Sequence, residues 1–193
     1  VCSSDLHLKQ KRKKAASLKT IEISPRAKGD LIMMGIGGFS PLDGFMTKAD
    51  WKSVCEKCTL ADGTFWPVPV TLDCSKSDAD GINAGDEIAL QIGGEFMATM
   101  KVSEKYEMTD ADKKWEAELV YKGEGEESAD DVFWKVALDD HPGVQMVMNQ
   151  KEFNLAGTVK VLSQGEYPTK YKGIYLTPAE TRKMFDEKGW ANV

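Results

Sequence analysis

The sequence predicts an α+β domain built on a small barrel or folded sheet. Short strand patterns mix with short helical patterns along its 193 residues, and no stretch alternates strand, helix and strand as parallel α/β folds do. A Gly-Gly dipeptide between two β-rich runs adds a hairpin. A chain of this length suffices for one full domain, or one domain and the start of another, and buries about 70% of its unfolded surface.

The first helical pattern begins at Ser24 and Pro25, which are typical of the N-cap and first position of a helix, and it ends at Gly35. Three apolar residues at i, i+4 and i+7 share one face of this helix: Ala27, Leu31 and Met34. The glycine-rich residues 35–45 that follow predict an ordered, turn-rich loop.

A second helix is capped by Thr47, with Asp50 three residues later. Its apolar face, at i, i+3, i+4 and i+7, consists of Trp51, Val54, Cys55 and Cys58. This spacing predicts that both cysteines face inward.

The strand patterns come next. Residues 66–72 are β-rich, but Pro67 and Pro69 confine them to an edge or irregular strand. Residues 87–92 and 95–104 flank Gly93-Gly94 and predict a hairpin with a I′ or II′ turn. The second arm places four apolar residues on one face and Thr99, Lys101 and Ser103 on the other; the apolar four are Phe96, Ala98, Met100 and Val102.

The last third of the chain is predicted as follows. Residues 109–138 are helical and acidic, interrupted by a solvated loop at 123–127, and residues 158–162 form a brief strand. Residues 167–175 are an aromatic linker. Thr177-Pro178-Ala179-Glu180 is a capping box that opens a final helix, closed by Gly189.

Composition excludes several functions. The 25 basic and 31 acidic residues give a net charge of −6, which repels a phosphate backbone, so we expect no nucleic-acid partner. No apolar run is long enough to span a bilayer, so we expect no membrane association. The four cysteines show no repeated spacing and no signal-peptide pattern is seen, which favours free thiols in a reducing cytoplasm.

The two ends of the sequence suggest a fragment. The chain opens with VCSSDL and no initiator methionine; the end of a common sequencing adapter spells these six residues on translation, and we expect them to be a processing scar. The basic residues 9–14 are expected to be a solvated, frayed terminal face, with a nucleic-acid or targeting patch as the alternative. Residues 191–193 follow a helix and suggest truncation at the start of a strand.

Local motifs supply no site. Cys55-Glu56-Lys57-Cys58 matches a redox or zinc pattern, but Cys74, His7 and His141 lack the paired spacing of further ligands, so buried core thiols are favoured. The glycines of residues 35–44 fit neither the Rossmann nor the P-loop pattern, which favours a structural turn. His141 before a proline is typical of a helix cap or turn. We therefore assign no catalytic, cofactor-binding or metal-binding residue.

Several segments together resemble ATP sulfurylase (sulfate adenylyltransferase), in the order and at the intervals of that family, and most resemble its sulfate-reducing and sulfur-oxidising prokaryotic members. They span residues 13–193 and are 37–46 (GGFSPLDGFM), 61–73 (ADGTFWPVPVTLD), 85–90 (GDEIAL), 141–144 (HPGV), and 167–168 with 176–182 (YP and LTPAETR).

The resemblance implies a PUA-like β-barrel domain with short helices at residues 13–173. Residues 1–12 would then be a non-native or disordered segment, and residues 174–193 would carry the first helix of a truncated α/β nucleotidyltransferase domain. This family of transferases converts ATP, with Mg, and sulfate to adenylyl sulfate and pyrophosphate in sulfate assimilation and reduction.

The family's catalytic motif, Gln-x-Arg-Asn-Pro-x-His-x-x-His, normally follows a few residues after such a tail and is not in this sequence. The resemblance therefore implies an inert portion of an oligomeric enzyme, which would meet ATP and sulfate only through the missing domain. One alternative is a stand-alone PUA-like RNA-binding module, which the acidic balance opposes. Another is a bifunctional parent with an appended kinase domain. The sequence leaves open the direction of the reaction and any downstream metal site.

Overall fold

The structure, a computed structural model, describes residues 2–121 and 141–191, with side chains from residue 8 onward. The chain divides into two compact units. Unit 1 comprises Val1–Phe45, Gly85–Val102 and Gly157–Val193, and unit 2 comprises Met46–Ala84 and Ser103–Ala156.

Short helices and strands alternate irregularly, as predicted. The described helices are α1 (Cys2–Ala15), α2 (Pro25–Gly35), α3 (Lys48–Lys57), α4 (Lys76–Ala79), α5 (Asp110–Tyr121), α6 (Pro142–Met148), α7 (Tyr167–Lys170) and α8 (Pro178–Lys188). The described strands are β1 (Lys19–Glu22), β2 (Gly44–Phe45), β3 (Asp73–Cys74), β4 (Glu87–Ile92), β5 (Glu95–Glu107) and β6 (Phe153–Val161). Strands β5 and β6 each contribute residues to both units.

The sheet of unit 1 has the order β1-β4-β5-β6-β2. Strand β1 runs parallel to β4, whereas the β4–β5 and β2–β6 pairs are antiparallel. The sheet is therefore mixed, in agreement with the predicted α+β class.

The predicted hairpin is confirmed, with a longer second arm. Gly93 and Gly94 have φ values of 57° and 83°, and two successive positive φ angles are what a type I′ turn needs. The register shifts within the pair, because Leu90 faces Ala98 while Gln91 faces Phe96. Met97 is the extra residue of this bulge.

The bulge changes which side chains of β5 are buried. Met97 is fully buried and its carbonyl accepts the Leu162 amide at 2.8 Å. Thr99 shares a face of β5 with Lys101, as predicted, but its side chain is buried. The prediction holds for Lys101 and Ser103, which are exposed.

Helix α1 packs on this sheet through its last turn. Ala15 is fully buried and forms a core cluster with Ala89 and Leu162. Arg12 Nη2 donates to the Leu162 carbonyl at 3.1 Å, and Lys14 forms an ion pair with Glu87. The basic residues 9–14 are largely exposed, as expected, but they are helical rather than frayed.

Helix α2 follows its prediction. The Ser24 hydroxyl accepts the Ala27 amide at 3.2 Å, and Pro25 occupies the first turn. Ala27, Leu31 and the neighbouring Ile32 are buried. The predicted cap is therefore confirmed, and so is the apolar face at Ala27 and Leu31, whereas Met34 is only half-buried.

In unit 2, the β-rich residues 66–72 are an irregular extended segment, and only Asp73–Cys74 pairs as a strand, with the start of β6. Backbone bonds still hold the segment: the Val70 carbonyl accepts from Met46, and the Leu72 carbonyl accepts from Leu155. Pro67 and Pro69 lack the amides that a ladder needs, which explains the irregularity. Strand β6 begins at 153, ahead of the predicted residue 158.

The prediction that both cysteines of α3 face inward is wrong for Cys58. The Thr47 hydroxyl accepts the Asp50 amide at 3.1 Å, as expected of the cap. Cys55 is buried, but the helix ends at Lys57, and Cys58 adopts a left-handed φ of 53° and is exposed. The left-handed cap rotates Cys58 off the helical face that the i+7 spacing assumed.

Helices α5 and α6 also belong to unit 2. Thr109 caps α5, because its hydroxyl accepts the Asp112 amide at 3.1 Å. The rest of the predicted helical region, including the loop at 123–127, lies outside the described residues. The core of unit 2 contains Trp51, Cys55, Tyr106, Met108 and Ala156, with Trp115 packed against it.

A buried polar cluster runs through this core. Trp51 Nε1 donates to Glu116 Oε2 at 2.8 Å, and Gln150 Nε2 donates to Glu116 Oε1 at 3.4 Å. Lys113 Nζ donates to the Gln150 carbonyl at 2.6 Å. Since buried polar groups are costly without partners, these bonds tie α3, α5 and the residues after α6 together.

The cysteine environments predict unequal reactivity. Burial first, and then Glu116 and Glu56, raise the pKa of Cys55, and burial raises the pKa of Cys74 to about 11. Because only the thiolate reacts, we expect iodoacetamide at pH 7.5 to modify Cys58 at least about tenfold faster than either buried thiol. Peptide mass spectrometry at several reaction times measures this; equal rates should appear in urea, and equal rates in native protein would contradict the assignment.

We predict that Glu116→Ala destabilises the protein by about 2–4 kcal/mol, because it leaves buried Trp51 and Gln150 donors without an acceptor and opens a cavity. Urea unfolding followed by tryptophan fluorescence measures the change. The matched control is Glu187→Ala, whose carboxylate is exposed in a surface pair, and it should change stability by less than about 0.5 kcal/mol. Equal effects from both variants would contradict the role of the cluster.

Candidate functional site

The glycine-rich loop at 37–42 uses its backbone amides internally. Gly38 donates to the Met33 carbonyl and Leu42 to the Phe39 carbonyl, each at 2.8 Å, while Ser40 donates to Gly37. Gly37 has φ +79°, which glycine adopts without strain. The loop is the ordered turn that the sequence predicts, and these amides are already engaged within it.

Glycine is required at position 44, at the end of this loop, because the backbone there passes very close to the backbone of Gly157. It pairs with Thr158 in the β2–β6 ladder, next to the Phe45–Gly157 pair. A Cβ atom at Gly44 would lie 1.9 Å from the Gly157 carbonyl oxygen, which no side chain can do without moving backbone. The two strands can therefore meet only with glycine at this position.

The 61–73 segment begins as a tightly bonded loop. Leu60 donates to the Thr64 carbonyl at 2.8 Å, and Asp50 Oδ1 accepts the Ala61 amide at 3.0 Å. Bonds from Thr64 lower the pKa of the Asp62 carboxyl, which accepts the Thr64 amide. The loop exposes Phe65, at 71%, together with Val68. This arrangement displays apolar side chains and assembles no reactive group.

His141 is a helix cap, as predicted. Its Nδ1 accepts the Gly143 amide at 3.1 Å, and its ring lies 4.9 Å from the Tyr121 ring. Cys55 is buried in α3 and Cys58 is exposed at the end of that helix, while Cys74 lies on strand β3. Within residues 2–121 and 141–191, no group of three or more His, Cys, Asp and Glu side chains could hold a metal ion.

The C-terminal apolar face, defined here as Ile174, Leu176, Met184 and Trp190, lies on α8 and the residues around it. Ile174 is 77% exposed and Trp190 is 53% exposed. Helix α8 has the predicted capping box at Thr177 but buries none of its residues. Tyr175 and Phe185 are only half-buried. A helix with an apolar side and no covering partner in the described residues is typical of a docking element.

A polar cavity of about 350 Å³ lies on the sheet of unit 1, and we call it the sheet-face cavity. It is lined by Gly85, Glu87, Thr99, Lys101, Thr158 and Lys160. Sequence reasoning missed it, because its residues come from three strands and carry no local spacing signal. Only the pairing of the strands brings them together.

None of the helices in the described residues is both long and apolar enough to cross a membrane.

Comparison with known proteins places these features in a family. The model of the PUA-like domain matches residues 1–164. A sulfate adenylyltransferase from Desulfovibrio desulfuricans is 68% identical over 186 residues, which are 96% of this chain and 44% of that protein. The Desulfatibacillum aliphaticivorans enzyme is also 68% identical, with the same coverage, and that of Chlorobaculum tepidum is 52% identical over 96% of this chain and 43% of its own. The chain thus spans less than half the length of these curated relatives.

A solved structure, the hexameric APS kinase from Thiobacillus denitrificans, superposes with a TM-score of 0.63 at 24% identity, covering 93% of this chain and 28% of that one. This likeness supports the fold alone. The resemblance to sulfate adenylyltransferases and the expected PUA-like α+β fold are both confirmed. Since the matching model covers most of its length, the chain belongs to the PUA-like domain family.

Proposed function

We propose that the chain is the N-terminal portion of a sulfate adenylyltransferase, which converts ATP and sulfate to adenylyl sulfate and pyrophosphate. The observation that carries this proposal is the 68% identity over 96% of the chain to enzymes of that name, of which the chain spans 44%. In this proposal the remaining length of the enzyme holds the groups that bind ATP, with Mg, and sulfate.

The chain alone is proposed to be inert. Transfer at the α-phosphate needs positioned cations and hydrogen-bond donors around the developing charge. The motif that carries those groups in the family is not in the sequence. The loops that share the family's sequence hold their amides in internal bonds or display apolar side chains, which supports a structural role.

The domain boundary is proposed to lie near residue 173. The family match ends at 164, and α8 with its uncovered apolar side follows at 178–188, which supports placing residues 174–193 at the start of the catalytic domain. The C-terminal apolar face would then pack against the rest of that domain. We propose that the full enzyme is a cytoplasmic homo-oligomer.

We predict that the 193-residue chain releases no pyrophosphate from ATP and sulfate, and shows no molybdate-dependent ATP breakdown, because the catalytic groups lie outside it. A coupled pyrophosphate assay measures this, with the full-length Desulfovibrio desulfuricans enzyme as the positive control. Sustained turnover by purified chain, unchanged over successive chromatography steps, would overturn the proposed division of roles.

We expect the isolated chain to bind a hydrophobic dye or to self-associate, because the C-terminal apolar face is uncovered. The double variant Ile174→Ser/Trp190→Ser should reduce the fluorescence of 1-anilinonaphthalene-8-sulfonate at least twofold. The control is Met146→Ser in unit 2, which removes a half-exposed apolar side chain away from this face and should leave the dye signal unchanged. A monodisperse wild-type chain without dye binding would contradict the proposed docking role.

A further inference from the structure

We propose that the sheet-face cavity of unit 1 binds a small inorganic oxyanion with at least two negative charges, such as sulfate or pyrophosphate. All the residues that line the cavity belong to this chain, and the inference goes beyond the function proposed above.

The cavity is built by neighbouring strands. Thr99 and Lys101 are two residues apart on β5, and Thr158 and Lys160 are two residues apart on β6, so each pair shares one face of its strand. Strands β5 and β6 are neighbours in the sheet, and Glu87 of β4 lies directly opposite Lys101. All five side chains therefore reach the same cavity, with Gly85 at its edge.

The charges in this cavity do not balance. The one carboxylate, Glu87, is paired with Lys14 of α1, and this pairing is the main reason that the pKa of Glu87 is lowered. The charge of Lys160 and a hydrogen bond from the Thr99 hydroxyl lower that pKa further, so three lysines face one carboxylate. Lys101 and Lys160 form no ion pair with any carboxylate that the structure describes. Two positive charges are left on this face, in a chain whose net charge is −6.

An oxyanion is the ligand that this imbalance favours. Two ammonium groups in one cavity repel each other. A dianion bound between them attracts both and so offsets this repulsion. Lysine is a common phosphate ligand because its ammonium is a compact charge with three donors, and the Thr158 hydroxyl adds a further donor. A tetrahedral anion can accept from several of these groups at once.

A compact anion fits better than a nucleic acid. Helix α1 reaches the edge of the cavity, because its Lys14 pairs with Glu87 and its Ala15 packs against Ala89 and Leu162. Nucleic-acid backbones need a continuous basic stripe that neutralises several phosphates, whereas this site has two unpaired lysines within an acidic chain.

The test is isothermal titration calorimetry of the 193-residue chain with sodium pyrophosphate and with sodium sulfate, at an ionic strength held constant with chloride. We expect saturable binding of at least one of the two anions. The double variant Lys101→Gln/Lys160→Gln should weaken that binding at least tenfold. The control Lys52→Gln/Lys183→Gln removes the same charge from two exposed surface pairs and should change the affinity less than twofold.

A second measurement locates the ligand. In amide NMR spectra, pyrophosphate should shift the signals of Gly85, Thr99 and Thr158 in wild type and not in the double variant. Matching melting temperatures in chloride would show that both variants fold. The proposal is overturned if no saturable binding occurs, if the two double variants weaken it equally, or if structured RNA at the same ionic strength binds this face more tightly than pyrophosphate does.

Discussion

The register of the β4–β5 hairpin is the constraint on which unit 1 depends. The turn at Gly93 and Gly94 fixes which residues of the two strands face each other, and a slip of one residue would exchange the faces of the sheet. The bulge at Met97 then lets both faces of early β5 be buried. Farther from the turn, the same register sets Glu87 opposite Lys101 and so creates a polar end to an otherwise apolar sheet.

Local features were predictable from the sequence, and distant pairings were not. The caps at Ser24, Thr47 and Thr177 and the glycine turn are each encoded within a few residues, and all are confirmed. The parallel pairing of β1 with β4 joins segments some 70 residues apart, and no local pattern reports it. At Cys58 the helical spacing gave a wrong prediction. Residues at i and i+7 share a face only within a continuous helix, and this helix ends at Lys57.

The proposed function depends on the resemblance to sulfate adenylyltransferases and not on local chemistry. The segments that carry this resemblance include two loops held by backbone bonds, most of strand β4 and the starts of helices α6 and α8, and His141 serves as a cap. A motif search would favour the pair of Cys55 and Cys58 as a site. The first thiol is buried and the second is exposed, so the two have different environments. The sheet-face cavity has no such motif, because three strands supply it, and only the folded sheet makes it visible.

The contact between Gly44 and Gly157 gives the end of the glycine-rich loop a structural reason for its sequence. Position 44 must be glycine because its backbone lies against that of Gly157, and any Cβ atom there would collide with the Gly157 carbonyl oxygen. A match over this loop in another protein therefore reports a shared path of the main chain, and it says nothing about shared reactivity.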